Sequence, residues 1–180
     1  MNQQNDTIGP WSEDKLQLLG KYLNAYTHIM RVQNWCKGYH YIDAFAGTGK
    51  PRARDEEWYD KERYIDGSPR VALTIQHPFH SYTFIEKTPW RVQRLRELEK
   101  EFPHQNVRVY EGNSNHIITT EIVPHICYEN FNRGLIFLDP FGMDTEWSTI
   151  EKIAETQALE IFMNFPLMAL NRTALPNDPN

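Results

Sequence analysis

Five short apolar segments, each but the last followed by a stretch with helical spacing, constrain this chain more than any other feature of its sequence. Tyr39 to Phe45, His80 to Ile85, Val107 to Tyr110, Leu135 to Leu138 and Leu159 to Phe165 read as strands. Ser68-Pro69 sets a capping residue before a proline at the first helical position, opening a helix that carries Val71, Ala72, Leu73 and Ile75. Thr88-Pro89 repeats that signal, with Val92, Leu95, Leu98 and Phe102 as the buried stripe and Pro103 as the stop. A helix interrupted at Pro124 follows the third strand, and Thr145 stands where it can cap another that turns Trp147, Ile150 and Ile153 inward. Leu135-Ile136-Phe137-Leu138 is apolar without alternation, as a strand covered on both faces must be. The alternation predicts an α/β protein: a parallel sheet with helices on both faces.

The remaining segments fall around that frame. Leu16, Leu19, Leu23, Tyr26 and Met30 recur at three- to four-residue spacing and predict an amphipathic helix over 12–34, with Ser12 as its N-cap. Residues 1–10 are polar and expected to be disordered, 11–170 read as one domain, and 171–180 read as a polar tail or truncation point. Residues 50–67 are dense in both signs of charge without periodicity, which predicts an insertion loop. A chain of 180 residues supports one domain with a real core rather than two. No apolar run approaches the length that spans a bilayer, and the N-terminus carries neither a basic nor an apolar leader. Cys36 and Cys127 form no CxxC, so neither zinc nor a disulfide framework is expected, and the default is a cytoplasmic protein without membrane contact. His77 and His80 share an HxxH spacing, but Pro78 and the coming strand argue against a metal pair. A net charge of -5 argues against a surface coated for non-specific nucleic-acid binding while leaving room for local basic patches.

In an open parallel sheet, ligands sit outside the carboxyl ends of the strands, and the distinctive motifs all fall there. Asp43-Ala44-Phe45-Ala46-Gly47-Thr48-Gly49 follows the first strand, and its glycines permit a sharp turn and close backbone approach. A Walker A loop is excluded by Ala44 and Pro51, and the dinucleotide GxGxxG by Arg52. Glu86 ends the second strand, where a carboxylate can accept from both hydroxyls of a ribose. Gly112-Asn113-Ser114 follows the third, with short polar side chains for an adenine edge or for a helix cap. The fourth strand delivers Asp139-Pro140-Phe141-Gly142: an acceptor, a stiff bend and a flat ring. That set suits an exocyclic amine held by Asp139 while its base stacks on Phe141, an extruded base being a known enzymatic strategy. Taken singly, each motif also fits a structural role: a tight turn, a solvated strand end, a cap, an Asp-Pro turn. Asn164-Phe165-Pro166 beyond the fifth strand either lines the same cleft or turns the chain.

Two basic stretches are candidates for nucleic-acid contact, the first of which reads more simply as charged, solvated surface and the second of which lies near the expected cleft. The helix from Pro89 has Lys87, Arg91, Arg94, Arg96 and Lys100 on or beside it, and the insertion interleaves Lys50, Arg52, Arg54, Lys61 and Arg63 with Trp58, Tyr59 and Tyr64.

The ordered set Trp11-Ser12-Glu13-Asp14-Lys15-Leu16, Tyr41 to Gly49, Gly67-Ser68-Pro69, Phe84-Ile85-Glu86 and Phe137 to Gly142 resembles the three-Cys-motif partner protein family, TcmP. The likeness runs from about residue 10 to Pro166. The Asp-Pro-Phe-Gly stretch is also similar to the fourth motif of amino-methyltransferases acting on nucleic-acid bases. The resemblance implies a Rossmann-like class I methyltransferase fold using S-adenosyl-L-methionine, and a methyl acceptor that is an exocyclic amine of a DNA or RNA base. It further implies that Asp43, Phe45, Gly47 and Gly49 lie at the cofactor's methionine end, with Glu86 at the ribose and Asn113 or Ser114 at the adenine. Asp139, Pro140 and Phe141 would face the acceptor. A three-Cys-motif protein is the implied partner, and a non-catalytic subunit acting through that partner is the alternative function. Such sheets usually have seven strands, and five are expected here, without the final antiparallel hairpin.

Overall fold

The structure, a computed structural model, describes residues 7–8, 10–53, 64–140 and 142–165. Five parallel strands form the main sheet: β2 (Gly38–Asp43), β4 (Ser81–Glu86), β5 (Val107–Glu111), β6 (Asn132–Leu138) and β7 (Leu159–Met163). Their order across the sheet is β5-β4-β2-β6-β7. The first of these strands in sequence is therefore central, and the chain winds outward from it first one way and then the other. This doubly wound arrangement leaves a crevice at the carboxyl edge, where the winding reverses. A separate two-residue ladder pairs β1 (Thr7–Ile8) with β3 (Arg52–Ala53) in parallel. Thr7 and Ile8, expected in a disordered start, thus have a partner in the region read as an insertion; residues 1–6 and 54–63 lie outside the described residues.

The helices are α1 (Pro10–Met30), α2 (Ser68–Leu73), α3 (Pro89–Glu101), α4 (Ser114–Ile117) and α5 (Trp147–Glu155). Alternation along the strands sorts the core into two layers, because successive side chains point to opposite faces. Tyr39, Tyr41, Tyr82, Phe84, Leu135 and Phe137 face α1, α2 and α3, where Leu19, Leu23, Ala72, Leu95 and Leu98 meet them. Ile42, Ala44, Ile85, Ile136 and Leu138 face the other side, covered by Ile117, Ile118, Ile122 and Ile153. Leu19, Leu23, Leu95 and Ile153 are wholly removed from solvent, each worth roughly 1.5–3 kcal/mol of transfer free energy.

Several local expectations need correction. The first helix begins at Pro10, so Ser12 lies inside it and is not its cap, and it ends at Met30, short of residue 34. Glu146 rather than Thr145 stands at the N-cap of α5, and Trp147 points outward with 73% of its surface exposed. Only Ile153 of the expected stripe on that helix is fully buried, beside Thr149. Pro124 does interrupt the helix after β5: α4 passes into a π-helical turn at Ile118–Ile122 and a 3-10 turn at Val123–His125.

Candidate functional site

The loop leaving β2 turns on two glycines in the left-handed region, Gly47 (φ 63°) and Gly49 (φ 71°). Their surroundings differ. A Cβ on Gly47 would meet nothing within 4 Å, whereas one on Gly49 would stand 2.7 Å from Leu98 Cδ1 on α3. Gly49 also carries Gly67 against its own backbone, and its carbonyl accepts from the Gly67 N–H at 2.9 Å. Gly49 is thus a packing glycine between the loop and α3.

Glu86 joins the first two strand ends. Its Oε2 accepts from the Gly47 N–H at 3.1 Å and its Oε1 from the Thr88 N–H at 2.8 Å. Arg91, in the first turn of α3, approaches Oε2 at 3.7 Å. The Glu86 side chain is 6% exposed. A carboxylate offers about four lone-pair positions, so these backbone partners leave acceptor capacity on each oxygen.

A cleft of about 260 Å³ opens over this residue. Ala44 and Phe45 wall it from the β2 end, Ile85 and Glu86 from β4, Gly112 to Asn115 from β5, and Met143, Asp144 and Glu146 from the loop after β6. Asn113 Oδ1 caps α4 by accepting from the His116 N–H at 3.1 Å, so the cap and the cleft wall are one residue, with its side-chain amide left to donate. Ser114 is buried in the same wall.

Asn115, which the motif reading passed over, ties two walls together. Its Nδ2 donates to the Asp144 carbonyl at 2.8 Å, and its Oδ1 accepts from the Glu146 N–H at 3.0 Å and from the Thr149 hydroxyl at 2.9 Å. Lys87 and Asp144 reach across the mouth at 3.5 Å, an exposed pair with little energetic weight. No sequence signal marked Lys87 or Asp144 as neighbours, since they are 57 positions apart.

Asp43 does not line the cleft. It has no exposed surface and sits beneath the loop, accepting from the Tyr41 hydroxyl and the Phe45 N–H at 3.3 Å each. Burial pushes its carboxyl up to about 7, opposed by hydrogen bonds from Ser68 and Phe45 and reinforced by the nearby charge of Asp139. Its geometry is that of a post holding the turn.

Asp139 stands at the end of β6, next to the end of β7. Asn164 Nδ2 donates to its Oδ1 at 2.7 Å, and the ammonium of Lys15 on α1 donates to its Oδ2. Pro140 is buried behind it. Phe141 and Pro166 lie outside the described residues, and Phe165 is exposed. The structure therefore gathers Phe45, Glu86, Asn113 and Ser114 around one cleft, places Gly47 and Gly49 in the loop above Glu86, and sets Asp139 beside the buried Asp43. Among the described residues no cluster of three or more His, Cys, Asp or Glu side chains could hold a metal, and no helix is long and apolar enough to cross a membrane.

Fold and strand-end cleft together define a Rossmann-like, doubly wound α/β protein with its cleft at the carboxyl edge of a parallel sheet. Among solved structures, protein LPL1258 from Legionella pneumophila superposes with a TM-score of 0.55 at 13% identity, over 81% of this chain and 66% of that one. A candidate methylase from Haemophilus influenzae, HI0767, gives 0.49 at 16% identity over 82% and 69% of the two chains. A candidate methyltransferase from Escherichia coli, yhhF, gives 0.46 at 16% identity over 79% and 66%. The first likeness speaks to the fold alone; the other two are too distant to carry an argument. The chain spans about two thirds of the length of these structures. No protein-family model and no curated protein matches the sequence.

Proposed function

We propose that this protein is an S-adenosyl-L-methionine-dependent methyltransferase whose acceptor is an exocyclic amine of a nucleic-acid base, and that it is related to the three-Cys-motif partner proteins. The observation that carries the reading is the cleft at the carboxyl edge of the sheet, floored by the buried Glu86 carboxylate and walled by Asn113 and Ser114. A ribose needs an acceptor for its hydroxyls, and Glu86 has capacity left on each oxygen. An adenine edge needs short polar groups, which Asn113 and Ser114 supply. The donor set fits the nucleoside part of this cofactor.

When bound, the cofactor supplies a methyl group already activated by its sulfonium, so the protein needs neither a metal nor a nucleophile of its own. The residues contribute alignment. Glu86 would hold the ribose hydroxyls, with Phe45 in the wall beside it and the Gly47 N–H keeping the carboxylate in place. Asp139 accepts an N–H of the acceptor amine, leaving the nitrogen lone pair directed away from the carboxylate. Asp43 keeps the loop in place from below. A nucleic-acid partner is supported by exposed Trp11 and by Tyr64 beside Lys50, whose ammonium lies 5.8 Å from the ring. A three-Cys-motif protein as a second partner rests on the sequence resemblance.

Calorimetry with S-adenosylmethionine and S-adenosylhomocysteine tests the reading. Binding to the wild type and a loss of roughly tenfold or more in Glu86→Gln are expected, in line with about 1.5–3 kcal/mol for hydrogen bonds to a charged group. A folded protein that binds neither compound is not a methyltransferase. An Asp139→Ala variant that binds cofactor but transfers methyl groups as well as the wild type would remove the amine-holding role.

A further inference from the structure

The N-terminal helix meets the strand-end chemistry at one point, Lys15. Helix α1 packs Leu19 and Leu23 against the sheet, with its C-terminal end near the start of β2 and its first turns at the carboxyl edge. Lys15 sits one turn before Leu19, and its side chain is 19% exposed. An ammonium so withdrawn from water requires a counterion, and the one it faces is Asp139, itself 25% exposed. On the opposite side of that carboxylate, Asn164 is fixed twice: its backbone N–H donates to the Leu138 carbonyl at 2.9 Å and its side-chain amide to Asp139 Oδ1. One oxygen is therefore held from α1 and the other from β7. Each keeps one lone-pair position, and a carboxylate gripped from both sides can present these only toward its exposed quarter.

We infer that Lys15 is a positioning residue for methyl transfer: with Asn164 it sets the orientation of the Asp139 carboxylate toward the acceptor amine, which makes α1 part of the acceptor site. This rests on the proposed role of Asp139. A helix tethered to the sheet for stability alone needs no charged contact at this place, because Leu16, Leu19 and Leu23 already bury its inner face. The i,i+4 spacing also puts Trp11, 80% exposed, on the same face of α1 as Lys15, one turn nearer the helix start. The helix thus offers the acceptor side both a fixed carboxylate and an open aromatic ring.

The test compares the wild type with Lys15→Met, Lys15→Arg and Asn164→Leu. Transfer is measured from labelled S-adenosylmethionine to single-stranded RNA and DNA oligonucleotide pools containing all four bases. The expected result for Lys15→Met is unchanged affinity for S-adenosylhomocysteine and a fall in kcat of roughly ten- to a hundredfold, the scale of a misaligned reacting group. Lys15→Arg, which keeps the charge, recovers most of it, and Asn164→Leu reproduces the kcat loss from the other side of the carboxylate. A Lys15→Met protein with wild-type kcat overturns the inference. So does one in which cofactor affinity and kcat fall together without recovery in Lys15→Arg, the pattern of a structural contact. If the wild type itself transfers no methyl group, the proposed function fails, and the side-chain amide resonances of Asn164 decide the positioning alone. They are expected to shift in Lys15→Met while the backbone resonances of Gly47 and Glu86 stay in place; unmoved Asn164 resonances overturn it.

Discussion

Replacing either glycine of the loop after β2 by alanine imposes the same backbone strain in two different surroundings. Both residues have φ near +65°, and an L-residue there costs about 1–2 kcal/mol. At Gly47 nothing lies within 4 Å of the new Cβ, so that strain is the whole effect and Gly47→Ala is expected to lose about 1 kcal/mol. At Gly49 the new methyl falls 2.7 Å from Leu98 Cδ1 and 3.7 Å from Leu95 Cδ2, both on side chains with almost no exposure. Relieving the first contact means moving a packed leucine or the loop itself, and overpacking of this kind adds about 1–3 kcal/mol. Gly49→Ala is therefore expected to lose about 3 kcal/mol in all. Urea unfolding of both variants, followed by far-UV circular dichroism and fluorescence, measures the difference as a shift in midpoint at constant slope. Equal losses, or a larger loss at Gly47, would refute the assignment of Gly49 as the packing glycine and Gly47 as the open one.

Removing the Asn115 side chain strands the Asp144 carbonyl, the Glu146 N–H and the Thr149 hydroxyl, so Asn115→Ala is expected to cost about 2–4 kcal/mol and to speed amide exchange at Glu146; exchange unchanged at that site would contradict the tie between the walls. Burial lifts the Asp43 carboxyl from its ordinary 3.8 to about 7 in the folded protein, so protonation of this group favours the fold. Its contribution is complete below pH of about 4 and is lost as pH rises from about 4 to 7, staying lost above. Asp43→Asn should accordingly lack that decline, and the variant's stability relative to wild type should rise across this window; parallel curves would refute it. Lys87→Ala removes only an exposed pair at the cleft mouth and is expected to change stability by under about 1 kcal/mol in thermal melts. Trp11→Ala should weaken binding of a single-stranded oligonucleotide in a fluorescence titration without altering affinity for S-adenosylhomocysteine, and an unchanged oligonucleotide affinity would leave the ring without a role in the proposed acceptor site.

The main elements were legible because their signals are local. Proline marks two helix starts, at Pro89 after the N-cap Thr88 and at Pro69, where Gly67 rather than the expected Ser68 is the N-cap and Ser68 already lies in the helix. The apolar run before Asp139 fixes a strand buried on both faces, and glycines at 47 and 49 fix a left-handed turn. Boundaries set by packing were not. Trp147 has the right spacing to face inward, yet it sits at the first position of α5 and is exposed, while Thr149 is buried with its hydroxyl bonded to Asn115. Asp43 reads as a cleft residue because it ends a strand, but its position in the pleat turns it to the face covered by α1 to α3, beneath the loop. Asn115 carries no motif at all; its weight comes from three partners some thirty positions away.

The sequence by itself determined the alternation of strand and helix, and with it the parallel sheet and the edge on which its polar motifs gather. Chain order dictates that much, since parallel neighbours require crossovers and crossovers leave the loops at the strand ends. Which of those residues look into the cleft, which hold it from behind, and that Lys15 from the first helix grips Asp139 across 124 positions were decided by the tertiary structure. The reason is physical: side-chain direction at a strand end depends on the pleat and on what packs above it, and a contact between distant segments leaves no periodic trace in either one.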